Sequence, residues 1–274
     1  MEAVPMILNK KGNLEYYTFE SLDNIDFIGH CFTTRRGGVS EGFLSSLNLG
    51  FSRGDIPENV EKNFDIICEA LNVKKEQCVT LKQVHSTEII KADKSIEGMG
   101  FVNGIEREEA DGFVTNEKGI VLVTFHADCV PLYFVDTRNK AIGMAHAGWR
   151  GTAGAMAEKM LERMKKEYGT EPSDVKVGIG PSIGACCFQV DDPVVNIFNE
   201  NFDFAHKYIT DDNEKGKYKI DLWGVNKELL IRNGVKAENI EIGNICTKCN
   251  PDIFYSHRVM GEQRGTMAAF LFLK

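Results

Sequence analysis

The sequence has no apolar run approaching the ~20 residues of a membrane helix. Its start, MEAVPMILNKKGNLEYY, has no apolar stretch of the secretory kind. Both absences point to a cytoplasmic protein with no membrane partner. There is no P-loop, and the glycines of GIGPSIGA lack G-x-G-x-x-G spacing, which leaves little room for nucleotide or dinucleotide binding of those kinds. No repeat, low-complexity tract or linker rich in Pro, Gly or Ser interrupts the chain, so a single domain is expected over residues 1–274. Positive charge is also short: 32 Lys and Arg face 40 Asp and Glu, a net charge of −8. This argues against bulk nucleic-acid binding while leaving room for a local basic pocket. The eight cysteines, in a reducing compartment, are expected as thiols available for packing, metal or chemistry.

What is present is ordinary for a globular fold, with 43% hydrophobic and 26% charged residues. Apolar residues at helical spacing (Val60, Phe64, Ile67, Leu71) predict a helix over 58–71. A second is predicted over 152–168, with Thr152 as N-cap and Gly169 ending it. Two more are predicted from Pro193 through Phe198 and from Asp221 to Arg232. Strands are predicted at 27–33, 78–84, 88–92, 120–125, 130–135, 141–146, 175–179, 240–245 and 267–273. Short strands and frequent hairpins with interleaved helices indicate a mixed α/β domain of the α+β type rather than a doubly wound parallel sheet.

The segment FHADCVPLYFVD, residues 125–136, places polar groups at one end of apolar strands. With TRNK as a turn before AIGMAHAG, it reads as a hairpin. If Asp136 pairs with Ala141, His146 faces Pro131 and Cys129 lies diagonal to His146, within reach of converging side chains. A one-residue slip would separate them. A Cys–His pair serves as nucleophile and base or as zinc ligands, and it can equally be a core Cys beside a hydrogen-bonded His. His85 in LKQVHSTEII is a candidate third ligand; two His and one Cys leave a fourth zinc position open, as catalytic sites do. About one zinc per chain follows.

Other features compete. CTKC at 246–249 is a lone CxxC with no second pair nearby in sequence, and reads as loop thiols. GPSIG at 180–184 fits the pattern of a nucleophile elbow, but no helix follows it as that motif requires. AHAGWRGTAG leads into the 152–168 helix, where Gly148, Gly151, Arg150 and the helix N-terminus suggest an anion site or a tight turn that needs glycine. Arg35–Arg36 and His257–Arg258 are further basic candidates.

Taken together, FTTRRGGVS, SLNLG, KQVHS, ADGFVT, ADCVPLYFVD, AHAGWRGT, GPSIGACC and CNPDIFYSHR resemble, in order and over about residues 25–274, the laccase-domain family. It is also described as the YfiH family of purine nucleoside phosphorylases and polyphenol oxidoreductases. The resemblance implies a mixed α/β domain with sheets sandwiched between helices, and zinc held by His85, Cys129 and His146. It implies phosphorolysis of adenosine, inosine, guanosine and S-methyl-5′-thioadenosine, with adenosine deamination alongside, and hence a purine nucleoside and phosphate as partners. Older descriptions of the family as copper-dependent laccases keep Cu2+ as a substitute ion, although six His are few for a multicopper set. Amide hydrolysis in peptidoglycan-precursor editing is a further alternative. On this reading Cys129 and Asp128 are catalytic, Asp128 through proton transfer or ligand orientation, and Arg35, Asn48, Gln83, Arg150 and Arg258 bind substrate. The chain departs from the family pattern at His126, which is not taken as a ligand, at Gln189, and at RGT (264–266) where TGR is frequent, which leaves Arg264 outside the expected site.

Overall fold

A computed structural model describes residues 6–101 and 107–274; the first five residues of the N-terminal segment discussed above lie outside that range. Two six-stranded sheets face one another. In spatial order the first contains Ile7–Lys11, Leu14–Thr18, Ile28–Thr33, Met267–Leu273, Val121–His126 and Cys78–Thr80. The second contains Ile240–Ile242, Val175–Ile179, Val130–Asp136, Ala141–Ala147, Gly112–Thr115 and Ile89–Lys91. A small third sheet joins Gln189–Asp191, Lys217–Ile220 and Ile209–Asp211. The class is mixed α/β, as predicted.

The MAAFLFL strand shows why the sheets stack. It is buried throughout, and its successive side chains go to opposite sides. Met267, Ala269, Leu271 and Leu273 enter the layer between the sheets, with Leu122, Tyr133 and Met144. Ala268, Phe270 and Phe272 enter the outer layer under helix Pro57–Leu71, whose Val60, Phe64 and Ile67 cover that face. On the far side of the second sheet, Leu132, Phe134 and Val177 pack against Met156, Met160 and Met164 of one helix and Val225 and Leu229 of another. Each such buried aliphatic side chain contributes ~1.5–3 kcal/mol. Among the described residues, no helix is long and apolar enough to cross a membrane.

The hairpin register is the predicted one: Asp136 pairs with Ala141 and Pro131 with His146. The predicted 152–168 helix is in fact two, Trp149–Ala153 and Met156–Tyr168, broken where Ala155 takes φ +59°. Gly148 occupies the first N-cap position, whereas Thr152 lies inside the helix with its hydroxyl on the Ala147 carbonyl. Five residues carry little macrodipole, which removes the helix-end half of the anion-site argument. The strands predicted at 78–84 and 240–245 stop at Thr80 and Ile242. The strands at 7–11, 14–18, 112–115, 209–211 and 217–220 carried no prediction; all but 112–115 are part-exposed and lack a clean apolar alternation.

Candidate metal centre

Residues 127–129 carry the chain from the first sheet, at His126, to the second, at Val130. That crossover lies at the open end of the layer between the sheets. Cys129 therefore sits in a turn just before its strand rather than on it. Asp128, the residue before, has φ +86°, and His85 has φ +61°. Left-handed backbone in non-glycine residues costs about 1–3 kcal/mol each and persists only where other bonds hold it.

Those bonds come from two buried carboxylates. Asp111 accepts from the backbone N–H groups of Val84 (3.1 Å), His85 (3.1 Å) and Ser86 (2.7 Å), and from the Ser86 hydroxyl (2.9 Å). It thereby pins the loop that carries His85. The same carboxylate lies 2.8 Å from Nδ1 of His146, so Nε2 is the nitrogen left for a ligand. Asp128 accepts from the Thr247 hydroxyl (2.6 Å), the Ser256 hydroxyl (3.0 Å) and the Arg258 backbone N–H (2.7 Å).

The result is a cluster of donors. Cys129 Sγ is 3.8 Å from His85 Nε2. One donor atom from each of His85, Cys129 and His146 lies within 4.8 Å of the other two. A tetrahedral ion with bonds of ~2.3 Å to sulfur and ~2.0 Å to nitrogen sets its ligands ~3.6 Å apart, so the set fits an ion of that size after small adjustments. A Cβ on Gly148 would stand 2.9 Å from Cys129 Sγ and 3.1 Å from the His85 ring. Glycine is thus required there by the donors themselves, beyond either an anion site or a tight turn.

Electrostatics favours the ligand forms. Burial disfavours a thiolate at Cys129, but His146 and His85 outweigh it and bring the thiol down to about 6. Burial also opposes charge on His146, yet the adjacent thiolate and Asp111 raise it to about 9. Between those values the metal-free pair is a thiolate and an imidazolium.

The donors open onto a cavity of about 610 Å³. Among its lining side chains are Arg53, Arg107, Arg150, Arg258 and Arg264, a basic wall in an acidic protein.

A sequence model of the multi-copper polyphenol oxidoreductase laccase family matches residues 29–274. The chain belongs to the laccase-domain family. It is 38% identical over 242 residues to purine nucleoside phosphorylase YlmD of Geobacillus stearothermophilus, covering 87% of this chain and 88% of the relative. Adenosine deaminase RL5, from an unknown prokaryotic organism, is 31% identical over 255 residues, covering 89% and 95%. The crystal structure of YfiH from Bacillus licheniformis superposes with a TM-score of 0.91 at 31% identity, over 97% of this chain and 99% of that one.

As a laccase-domain protein the chain shows no multicopper arrangement among its described residues. The His126 ring nitrogens meet the Thr124 hydroxyl (2.8 Å) and the Cys129 carbonyl (3.1 Å), and burial holds that ring neutral. His30 Nε2 accepts from Phe19 N–H, while His206 and His257 are exposed with ring nitrogens on backbone carbonyls.

Of the residues expected to bind substrate, Arg150 and Arg258 reach the cavity, and Gln83 lines it with its amide already committed to both backbone groups of Phe125. Arg35 lies elsewhere: its guanidinium bonds the carbonyls of Ser45 (2.9 Å) and Pro251 (3.0 Å) and stacks on Tyr255. Asn48 is fully buried and spent on Gly50, Asp55 and Thr266. Arg258 is exposed, lies in the short helix His257–Met260, and donates to the carbonyls of Cys187 and Gln189. Asp128, expected either to transfer protons or to orient a ligand, has its carboxylate committed to three donors that brace the turn before Cys129, an arrangement that suits the second of these.

Two residues were missed. Asp111 stood inside the quoted ADGFVT with nothing local to mark it beyond an acid ahead of a buried strand. Arg264 is only 8% exposed, lines the cavity, and its Nε and Nη1 have no hydrogen-bond partner among the described residues. Removing the carboxylate's charge tests the first. Asp111→Asn is expected to weaken metal binding ~10- to 100-fold, as loss of such supporting partners does. Competition with a chelator measures it, and wild-type affinity in the variant would rule out the role.

Proposed function

We propose that the chain is a zinc-dependent enzyme of purine nucleosides. It phosphorolyses adenosine, inosine, guanosine and S-methyl-5′-thioadenosine, and deaminates adenosine when water replaces phosphate as nucleophile. The observation that carries this reading is the shared cavity. It joins a His–Cys–His donor set to a buried Arg264 whose guanidinium has two nitrogens, Nε and Nη1, without a hydrogen-bond partner among the described residues. An unpaired buried guanidinium is costly, and an anionic ligand is the natural partner. The names of the relatives support the substrate class.

His85, Cys129 and His146 would hold the ion, a set of three protein ligands such as catalytic rather than structural zinc sites use. Zinc there supplies Lewis-acid activation of an oxygen nucleophile near neutral pH. Arg264 holds phosphate by charge-assisted bonds, and Arg53 and Arg258 add positive potential at the same wall. With phosphate positioned, its oxygen bonds to ribose C1′ as the C1′–N9 bond breaks, and the purine leaves with the electron pair and takes a proton. In deamination the oxygen of water bonds to C6 and ammonia departs. Asp128 positions Cys129 and the loop of Arg258 through its three bonds; Asp111 keeps His146 in the tautomer that presents Nε2.

The deciding experiment incubates zinc-loaded protein with adenosine, with and without phosphate, and resolves adenine, inosine and hypoxanthine. Adenine with ribose 1-phosphate is expected when phosphate is present, and inosine when it is absent. No turnover in either condition would overturn the proposal.

The two shifted groups also set the pH dependence of zinc binding. Cys129, lowered to about 6, is already a thiolate above that pH, whereas His146, raised to about 9, must lose its proton. Zinc affinity should therefore rise ~tenfold per pH unit between 6 and 9, and flatten in this component above 9. Competition titrations across the interval read this directly; a flat affinity would contradict the ion pair.

A further inference from the structure

The CTKC motif has partners that its spacing does not reveal. The loop GPSIGACC folds against it, so that Cys186, Cys187, Cys246 and Cys249 each place a sulfur within 4.8 Å of the other three. Cys249 Sγ is 3.7 Å from Cys186 Sγ and 3.4 Å from Cys187 Sγ. A tetrahedral ion with four bonds of ~2.3 Å to sulfur needs its sulfurs ~3.8 Å apart. A disulfide needs ~2.05 Å, and all eight cysteines are free. The pair Cys68–Cys78, 3.8 Å apart in the core, offers only two donors. This cluster offers four, from two loops. The backbone N–H of Gly184 points at Cys246 Sγ at 3.3 Å, a bond that stabilises a thiolate.

We propose that Cys186, Cys187, Cys246 and Cys249 bind a second Zn2+ in a tetrathiolate site. Four protein ligands close the coordination sphere, so this ion is structural, whereas the His–Cys–His centre keeps an open position. Four thiolates crowded together repel one another strongly, and a divalent cation removes that penalty.

The site has a task in the fold. The two loops are already joined by Ser182 N–H to the Ile245 carbonyl (3.2 Å) and Thr247 N–H to the Ser182 carbonyl (3.0 Å). Thr247, between the two CTKC cysteines, gives its hydroxyl to Asp128, and Ile183 N–H bonds the Asp128 carbonyl at 2.9 Å. The Cys187 carbonyl accepts from Arg258, and Phe188 lines the cavity. Zinc would thus lock the wall behind Cys129 without touching substrate.

Elemental analysis of the full chain should find two zinc per chain. Cys186→Ser/Cys249→Ser should retain one, and Cys129→Ala should also retain one. The two remaining ions are distinguishable after cobalt substitution: the intense tetrathiolate bands should persist in Cys129→Ala and vanish in the double variant. Cys129→Ala keeps the test decisive even if the loop variant fails to fold. Metal-free Cys129→Ala would overturn the proposal, as would a non-reduced mass lower by the hydrogens of disulfides among these four. Iron in place of zinc would overturn the assignment of the ion.

Discussion

Cys129→Ala is expected to lower turnover of adenosine by at least ~10³-fold and to remove one equivalent of metal. Activation of a nucleophile by a bound divalent ion is worth several kcal/mol, and ~4 kcal/mol corresponds to three powers of ten in rate. The thiolate is the donor from which the other two are arranged. It stands 3.8 Å from His85 Nε2, and its charge is the largest influence raising His146. Without it His146 loses much of its attraction for a proton, and two imidazoles remain as a weak site. The fold should survive, because the donors sit at the open end of the inter-sheet layer and the core on either side contains no part of them. Steady-state kinetics, metal analysis and circular dichroism together decide the outcome. Activity within tenfold of wild type would remove Cys129 from the mechanism.

Arg264→Ala should separate phosphate use from both metal binding and stability. Burial holds this guanidinium below the ordinary arginine range, and nearby Arg53 adds to the effect, yet arginine remains charged. A charge-assisted bond to a phosphate oxygen is worth ~1.5–3 kcal/mol, so phosphorolysis should fall ~10- to 150-fold, mostly through KM for phosphate. Deamination uses water and should fall less. The melting temperature should hold or rise, since the substitution deletes a buried cation with two nitrogens that have no partner among the described residues. Arg264→Lys would restore charge without the planar fork and should recover only part of the activity. A lower melting temperature with unchanged KM for phosphate would make Arg264 a structural residue. Arg258, already donating to two backbone carbonyls, should show the smaller effect when replaced by alanine.

Much of this arrangement could be read locally. The strand MAAFLFL and the TRNK hairpin were legible as short apolar runs bounded by polar turn residues, whereas the register that sets His146 opposite Pro131 was one conditional pairing that only the structure decided. The helix over Pro57–Leu71 was legible from its apolar spacing. His85, Cys129 and His146 stood out as types: polar groups beside apolar strands need partners, and thiol and imidazole are favoured zinc ligands.

Only the tertiary structure decided the rest. Asp111 acquires its role because one carboxylate meets backbone groups of residues 84–86 and the ring of His146, a convergence no local spacing encodes. Arg35 and Arg264 are alike as sequence features; the first is spent on loop carbonyls while the second is left unanswered in a cavity wall, a difference made by where each chain segment passes. GACC and CTKC each carry half of a four-sulfur cluster, and neither half signals the other. Periodicity reports which face of an element meets the core, because burial acts residue by residue along the chain. Which distant elements share one end of a sheet depends on the path of the connections, and at that end the charges, the donors and the cavity come together.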